Sequence, residues 1–233
     1  VLAAADELPL PVTVDHTMTL KARAYKNGLP PSAVVSAVYA IGQGTSIADI
    51  KGMADNTLVT TGELVVTGWF GNTFYVEQAD RASGIRVDMA GNTVAVGRTV
   101  RVFGAVTTDP TNGERFIQAN MVSDIGPGTV APVAMNNKAI GGGPDGLQQG
   151  IAGASGRNNI GLLVVAYGAV SSPGGANDFY LDDGSGVSLH VLLPTGKDVP
   201  GPGVYVTLTG VVSCEKVGEN LSRVIRAVNG VHV

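Results

Sequence analysis

An all-β fold is predicted for this chain: two tandem five-stranded barrels behind an N-terminal β arm. Three observations predict it. Apolar and polar residues alternate with a period of two along most of the chain, 33 glycines and 12 prolines cut those runs short, and the second half repeats the pattern of the first. At 233 residues, 44% hydrophobic and 15% charged, the chain has room for one large domain or two small ones of roughly 100 residues each.

The first element is the arm, residues 1–44. Thr17-Met18-Thr19-Leu20-Lys21-Ala22-Arg23-Ala24-Tyr25 alternates as a half-buried strand does, Asn27-Gly28 and Pro30-Pro31 break it, and the run 33–41, with Val34, Val35, Val38 and Tyr39, returns as its partner. Two strands cannot bury a core in water, so the arm must lean on something else. Val12-Thr13-Val14, the run 17–28 and Pro31-Ser32-Ala33-Val34-Val35-Ser36-Ala37-Val38-Tyr39 together resemble the closing half of the chitobiase/β-hexosaminidase C-terminal type of immunoglobulin-like module of secreted bacterial proteins. The earlier strands of that module, with their Asp-Gly turn, are not in the sequence. Either a parent protein is cut inside the module, or another chain supplies the missing strands. Leu10, Val12, Leu20 and Tyr25 are the expected assembly residues of the arm.

Residues 46–56 follow, with Ser46 as a cap and Gly52 as a stop, and read as a short helical turn linking into the main body. The first barrel is expected over 45–130, a Gly-rich connector over 131–160 and the second barrel over 161–233. Leu58-Val59-Thr60-Thr61-Gly62 aligns with Val164-Val165-Ala166-Tyr167-Gly168, an offset of 106 residues, and Phe74-Tyr75-Val76 aligns with Phe179-Tyr180-Leu181. Ser83-Gly84 aligns with Ser185-Gly186, the run 100–104 with 206–210, and Ile117-Gln118-Ala119 with Ile225-Arg226-Ala227. A tandem duplication is the economical explanation.

Each copy reads as five short strands, the first interrupted by Gly62 or Gly168, where a bulge or bend lets one strand serve both halves of a barrel. With Tyr75-Val76-Glu77, the run 80–87, Gly113-Glu114-Arg115, the run 158–164 and Asp182-Asp183-Gly184-Ser185-Gly186, the chain resembles tandem OB-type modules of large secreted bacterial proteins. That resemblance implies the barrel architecture and an extracellular setting, and little about activity. The connector, 139–156, is either a flexible linker or a compact loop; Leu147, Ile151 and Ile160 as apolar anchors favour the loop.

The function classes narrow by subtraction. A net charge of −4 without a Lys/Arg cluster is unsuited to tracking nucleic-acid phosphates. No apolar run approaches the roughly 20 residues of a membrane span. One cysteine, Cys214, leaves no intrachain disulfide framework and reads as a small apolar filler or a chance free thiol. The apolar start Val1-Leu2-Ala3-Ala4-Ala5 ahead of Asp6-Glu7 is either the tail of a secretory signal region or a fragment boundary, and the composition favours export to the cell surface.

His16, His190 and His232 carry no nucleophile or metal motif around them, so no catalytic residue, cofactor or metal site is expected. Asp182-Asp183-Gly184-Ser185-Gly186 offers oxygen ligands that would suit calcium, but Asx-type hydrogen bonds of a turn explain it better. Glu114-Arg115 and Glu219 with Arg223 are expected as cross-strand ion pairs. Trp69 and Tyr75 form the one candidate ligand face: one of Phe74 and Tyr75 should be displayed, and a displayed Tyr75 beside Trp69 could stack on a sugar ring or a base. The plainer reading is that they cover a barrel end or a junction.

The expectation is a non-enzymatic extracellular structural protein, a self-assembling subunit of a surface filament or layer that contacts a neighbour of its own kind through the arm. The alternative is a carbohydrate- or polymer-binding accessory module of a larger secreted enzyme, with a glycan as partner.

Overall fold

A computed structural model of the protein describes residues 18–39, 44–229 and 231–232. The chain forms two units, residues 1–44 and 45–233.

In the first unit, β1 (Met18–Ala22) pairs antiparallel with β2 (Val35–Tyr39), from Met18↔Tyr39 to Ala22↔Val35. The turn falls where Asn27-Gly28 predicts it: Leu29 N–H donates to Lys26 O at 3.0 Å, and Gly28 takes φ 80°. Every side chain from 21 to 37 is exposed, among them Leu29 (60%), Val34 (53%) and Val35 (71%). Of the expected arm residues, Leu20 is half-buried, Tyr25 is exposed under the Arg23 guanidinium at 4.5 Å, and Leu10 and Val12 lie outside the described residues.

The second unit opens with α1 (Ile47–Gly52), capped as the sequence indicates, with Asp49 N–H donating to Ser46 Oγ at 3.2 Å. It is more than a linker: Ile47 and Ile50 are 0% exposed and belong to the core of the first barrel. Then come β3 (Thr57–Thr60), β4 (Leu64–Phe70), β5 (Thr73–Glu77), β6 (Gly84–Asp88), β7 (Arg98–Thr108) and β8 (Arg115–Pro127). The ring runs β4-β5-β6-β8-β7 and closes from β7 to β4, with β6 and β8 parallel at Val87↔Ile117 and the other ladders antiparallel. Both β3 and β4 lie on β7, at Thr60↔Phe103 and Leu64↔Val100. They are one bent strand, broken around Gly62 as the sequence suggests. Inside the break Thr61 is fully buried and keeps the ladder closed, exchanging bonds with Val102 through its main chain and its hydroxyl.

The second ring repeats that order. β9 (Val133–Ala134) runs parallel beside β10 (Leu163–Pro173), followed by β11 (Asp178–Asp182), β12 (Ser188–Leu192), β13 (Tyr205–Val217) and β14 (Asn220–Ala227). The ring is β10-β11-β12-β14-β13 and closes to β10, with β12 and β14 parallel at Val191↔Ile225. Each barrel is therefore a closed five-stranded sheet of OB-like topology. Gly168 stands within an unbroken β10, and the reason for glycine is proximity: a Cβ there would meet the Asp182 carbonyl of β11.

The connector is ordered. Ile140, Ile151 and Ile160 are buried in the second core, whereas Leu147, expected as an anchor, is 53% exposed and contributes only its N–H, which donates to Lys51 O at 2.8 Å. Its neighbour Gln148 is the residue that is buried, accepting from Arg115 N–H at 2.8 Å. No described helix is long and apolar enough to cross a membrane.

Candidate functional site

The two barrels put the same sheet face to different uses. On β5 and β6, Tyr75 stands opposite Arg86; on β11 and β12, Tyr180 stands opposite His190. Both pairs sit at the same ladder position, beside the parallel strand that closes the ring: Arg86 faces Phe116, and His190 faces Val224.

In the first barrel this face is sealed. Glu114, 0% exposed, collects three donors on Oε2: Tyr75 Oη at 3.1 Å, Ser213 Oγ of β13 at 3.0 Å and Arg86 Nη1 at 3.3 Å. Arg86 also bonds Asp88 at 3.0 Å and Asp109 at 2.9 Å, and its guanidinium lies 4.4 Å from the Phe116 ring centroid. Burial raises the Glu114 carboxyl above the usual range against the pull of Arg86, and burial raises the Tyr75 phenol, with Glu114 adding to it. Cys214 is buried as an apolar filler at this seam, its Sγ 3.4 Å from Asn112 O.

More of the junction is polar and buried. Glu77 Oε2 accepts from Leu163 N–H at 2.7 Å while its buried Oε1 has no partner, and burial lifts its pKa to about 7. Lys51 Nζ donates to Asn158 Oδ1 at 3.1 Å and Ile160 O at 3.0 Å, and burial lowers its pKa to about 8. Such groups add little net stability, but removing one partner leaves the other stranded in a low dielectric.

The expected ligand face does not form. Phe74 and Tyr75 are both 0% exposed, because the side of β5 that would meet water is covered by the second barrel. Trp69 is 49% exposed and its Nε1 donates to Asn92 Oδ1 at 3.1 Å. Trp69 pairs across the ladder with Phe74, one step from the Gly68–Tyr75 pair, and adjacent pairs point to opposite faces. The expected ion pairs are also redirected for that reason. Glu114 turns to Arg86, while Arg115 turns inward to Asp55 at 2.7 Å. Arg223 makes no ion pair with Glu219 among the described residues.

In the second barrel the corresponding face is open, a cleft of about 250 Å³ lined by Tyr180, Ser188, His190, Glu215, Ser222 and Arg223 among others. His190 Nδ1 lies 3.1 Å from both oxygens of Glu215, Nε2 lies 3.1 Å from Asp178 Oδ2, and the ring stacks on Tyr180 at 4.8 Å. His190 draws the Asp178 carboxyl below the usual range. The two carboxylates occupy opposite edges of the imidazole and do not converge on one point. No group of three or more His, Cys, Asp and Glu among the described residues is placed to hold a metal ion. The Asp182-Asp183 turn is built from Asx bonds, Gly184 N–H to Asp182 at 2.8 Å and Ser185 N–H to Asp183 at 3.0 Å. His232 joins Thr207 through main-chain bonds, and His16 lies outside the described residues. A second aromatic pair escaped sequence reasoning: Tyr167 and Tyr205, more than half exposed, stack at 5.8 Å. Their adjacency comes from the β10–β13 register, which local periodicity does not reveal.

No family model and no curated protein matches the chain. Among solved structures it is similar to the hypothetical protein ygiW from E. coli, at 24% identity and a TM-score of 0.31, over 36% of this chain and 91% of that one.

Proposed function

We propose that this chain is a non-enzymatic extracellular structural protein, a self-assembling subunit of a surface filament or layer whose N-terminal β arm contacts a neighbouring copy. The observation that carries the reading is the arm: a two-stranded sheet with both edges unpaired among the described residues and Leu29, Val34 and Val35 exposed. A two-stranded sheet is marginal alone, and a free edge templates pairing with another chain. Contact of the arm with a copy that is itself related by a non-closing rotation gives an open polymer.

Two further features support it. The first barrel gives up its sheet face to an internal junction of buried charges, which makes a stiff building block. The repetition of one strand order in both rings supports a tandem duplication, a common source of such blocks. The arm's hairpin also fits its resemblance to the closing strands of a chitobiase-type module, and low charge with a single cysteine fits the extracellular setting.

The test is negative-stain electron microscopy and light scattering of the full chain, of residues 45–233, and of Val35→Lys, which charges the exposed face of β2 without deleting it. Filaments or sheets that form from the full chain and are lost in both variants support the reading. Monodisperse monomers of the full chain at high concentration overturn it.

A further inference from the structure

Arg115 and Arg223 are counterparts. Each lies two residues before an isoleucine that pairs with the parallel strand, Ile117 with Val87 and Ile225 with Val191. Both are buried, at 1% and 8% exposure. Both terminal nitrogens of Arg115 are met: Nη1 donates to Asp55 at 2.7 Å and to Thr108 Oγ1 at 2.8 Å, and Nη2 to Met53 O at 2.5 Å. Arg223 has one long contact, Nη2 to Ala152 O at 3.5 Å, and no carboxylate partner among the described residues. The segment answering to Asp55, just ahead of β10, is Asn159-Ile160-Gly161-Leu162 and brings no acid. A buried cation normally has a counter-charge, and a guanidinium is best completed by a carboxylate held through two parallel bonds.

That incomplete arginine lines the open cleft of the second barrel. The other groups there restrict what can complete it. Glu215, held at one edge of His190, lines the cleft as an acceptor that takes hydroxyl donors and disfavours a second negative group. Ser188 and Ser222 line the same cleft and can both donate and accept. Burial holds the Arg223 guanidinium below its ordinary pKa against the pull of Asp183, which makes no ion pair with it.

We propose that this cleft is a binding site for a sugar acid, with the single carboxylate of a uronate seated on Arg223 and its hydroxyls on Glu215, Ser188 and Ser222. The site lies on the opposite barrel from Trp69 and Tyr75 and is independent of the arm, so it stands or falls separately from assembly. The ligand is either a free uronate or one residue of an acidic polysaccharide, and the same chemistry serves both.

The test is titration of the full chain with D-glucuronate, D-glucose and a glucuronate oligomer, followed by calorimetry and by amide shifts at Ser188 and Ser222. Saturable glucuronate binding at least tenfold tighter than glucose is expected, lost in Arg223→Gln. Because Arg223→Gln also alters a buried side chain, Ala152→Asp provides the control: it sets an internal carboxylate beside Nη2, so it should keep or raise Tm while weakening glucuronate binding at least tenfold. A tighter oligomer assigns the site to a polysaccharide and an equal one to the free acid, both in support. No saturable binding, glucose equal to glucuronate, or binding that survives Ala152→Asp overturns the proposal.

Discussion

The backbones of Gly84 and Gly161 meet across the junction of the two barrels, so closely that a Cβ on either would collide with the main chain of the other. Gly161 also takes φ 96°, in the region that favours glycine. The contact brings the start of β6 against the turn that leads into β10, and the sealed face of Tyr75, Arg86 and Glu114 lies beside it.

Gly161→Ala should therefore cost at least about 2 kcal/mol, from backbone strain together with overpacking. Urea unfolding read by Trp69 fluorescence and by far-UV dichroism checks this. The expected result is a lower midpoint, with the two probes separating if the barrels uncouple, since Trp69 belongs to the first barrel alone.

Glu77 makes stability depend on pH. Its folded pKa of about 7 lies above the ordinary 4.5, so below pH 4.5 the carboxyl is protonated in both states and contributes nothing. Between pH 4.5 and 7 the unfolded chain has lost a proton that the folded chain keeps, and stability falls as pH rises. Above 7 the full cost of a buried charge is present, at most about 3 kcal/mol. Glu77→Gln should match the natural chain at pH 4 and exceed it at pH 8, measured by paired denaturant titrations.

Tyr75→Phe should cost about 1 kcal/mol, the loss of one of three donors to a buried carboxylate. Arg86→Met should cost about 3 kcal/mol or more, because it strands Glu114 without its cation. A double-mutant cycle between Tyr75→Phe and Ser213→Ala should show non-additivity, since both hydroxyls bond the same oxygen and lie 3.2 Å apart.

Trp69→Ala should cost about 1 kcal/mol of half-buried apolar surface and leave binding to a glycan array unchanged. Tyr75 is sealed away from it, and one exposed ring offers a sugar no cleft. Reduced glycan binding in this variant would return the ligand face to the first barrel.

Much of the fold was legible locally. Alternation marked the strands, Asn27-Gly28 marked the arm's turn, Ser46 capped α1, and the 106-residue offset paired elements that occupy equivalent places in two rings of one topology. These signals depend on backbone propensity and on the two-residue period of a strand, which a sequence carries along its length. Local pattern also set the limits: it showed that Phe74 and Tyr75 face opposite ways, but not that a second barrel would cover the outer face.

What only the tertiary structure decided is which polar groups meet. Glu114 lies next to Arg115 in sequence yet pairs with Arg86, because successive strand residues point apart and the ring brings β6 to β8. Arg115 finds Asp55 and Arg223 finds no acid, though both sit at equivalent places in the two rings, because the segments that could supply a partner are distant in the chain and differ between the barrels. The sequence by itself determined two β barrels and an arm; the packing of one barrel on the other determined which face is closed and which remains open.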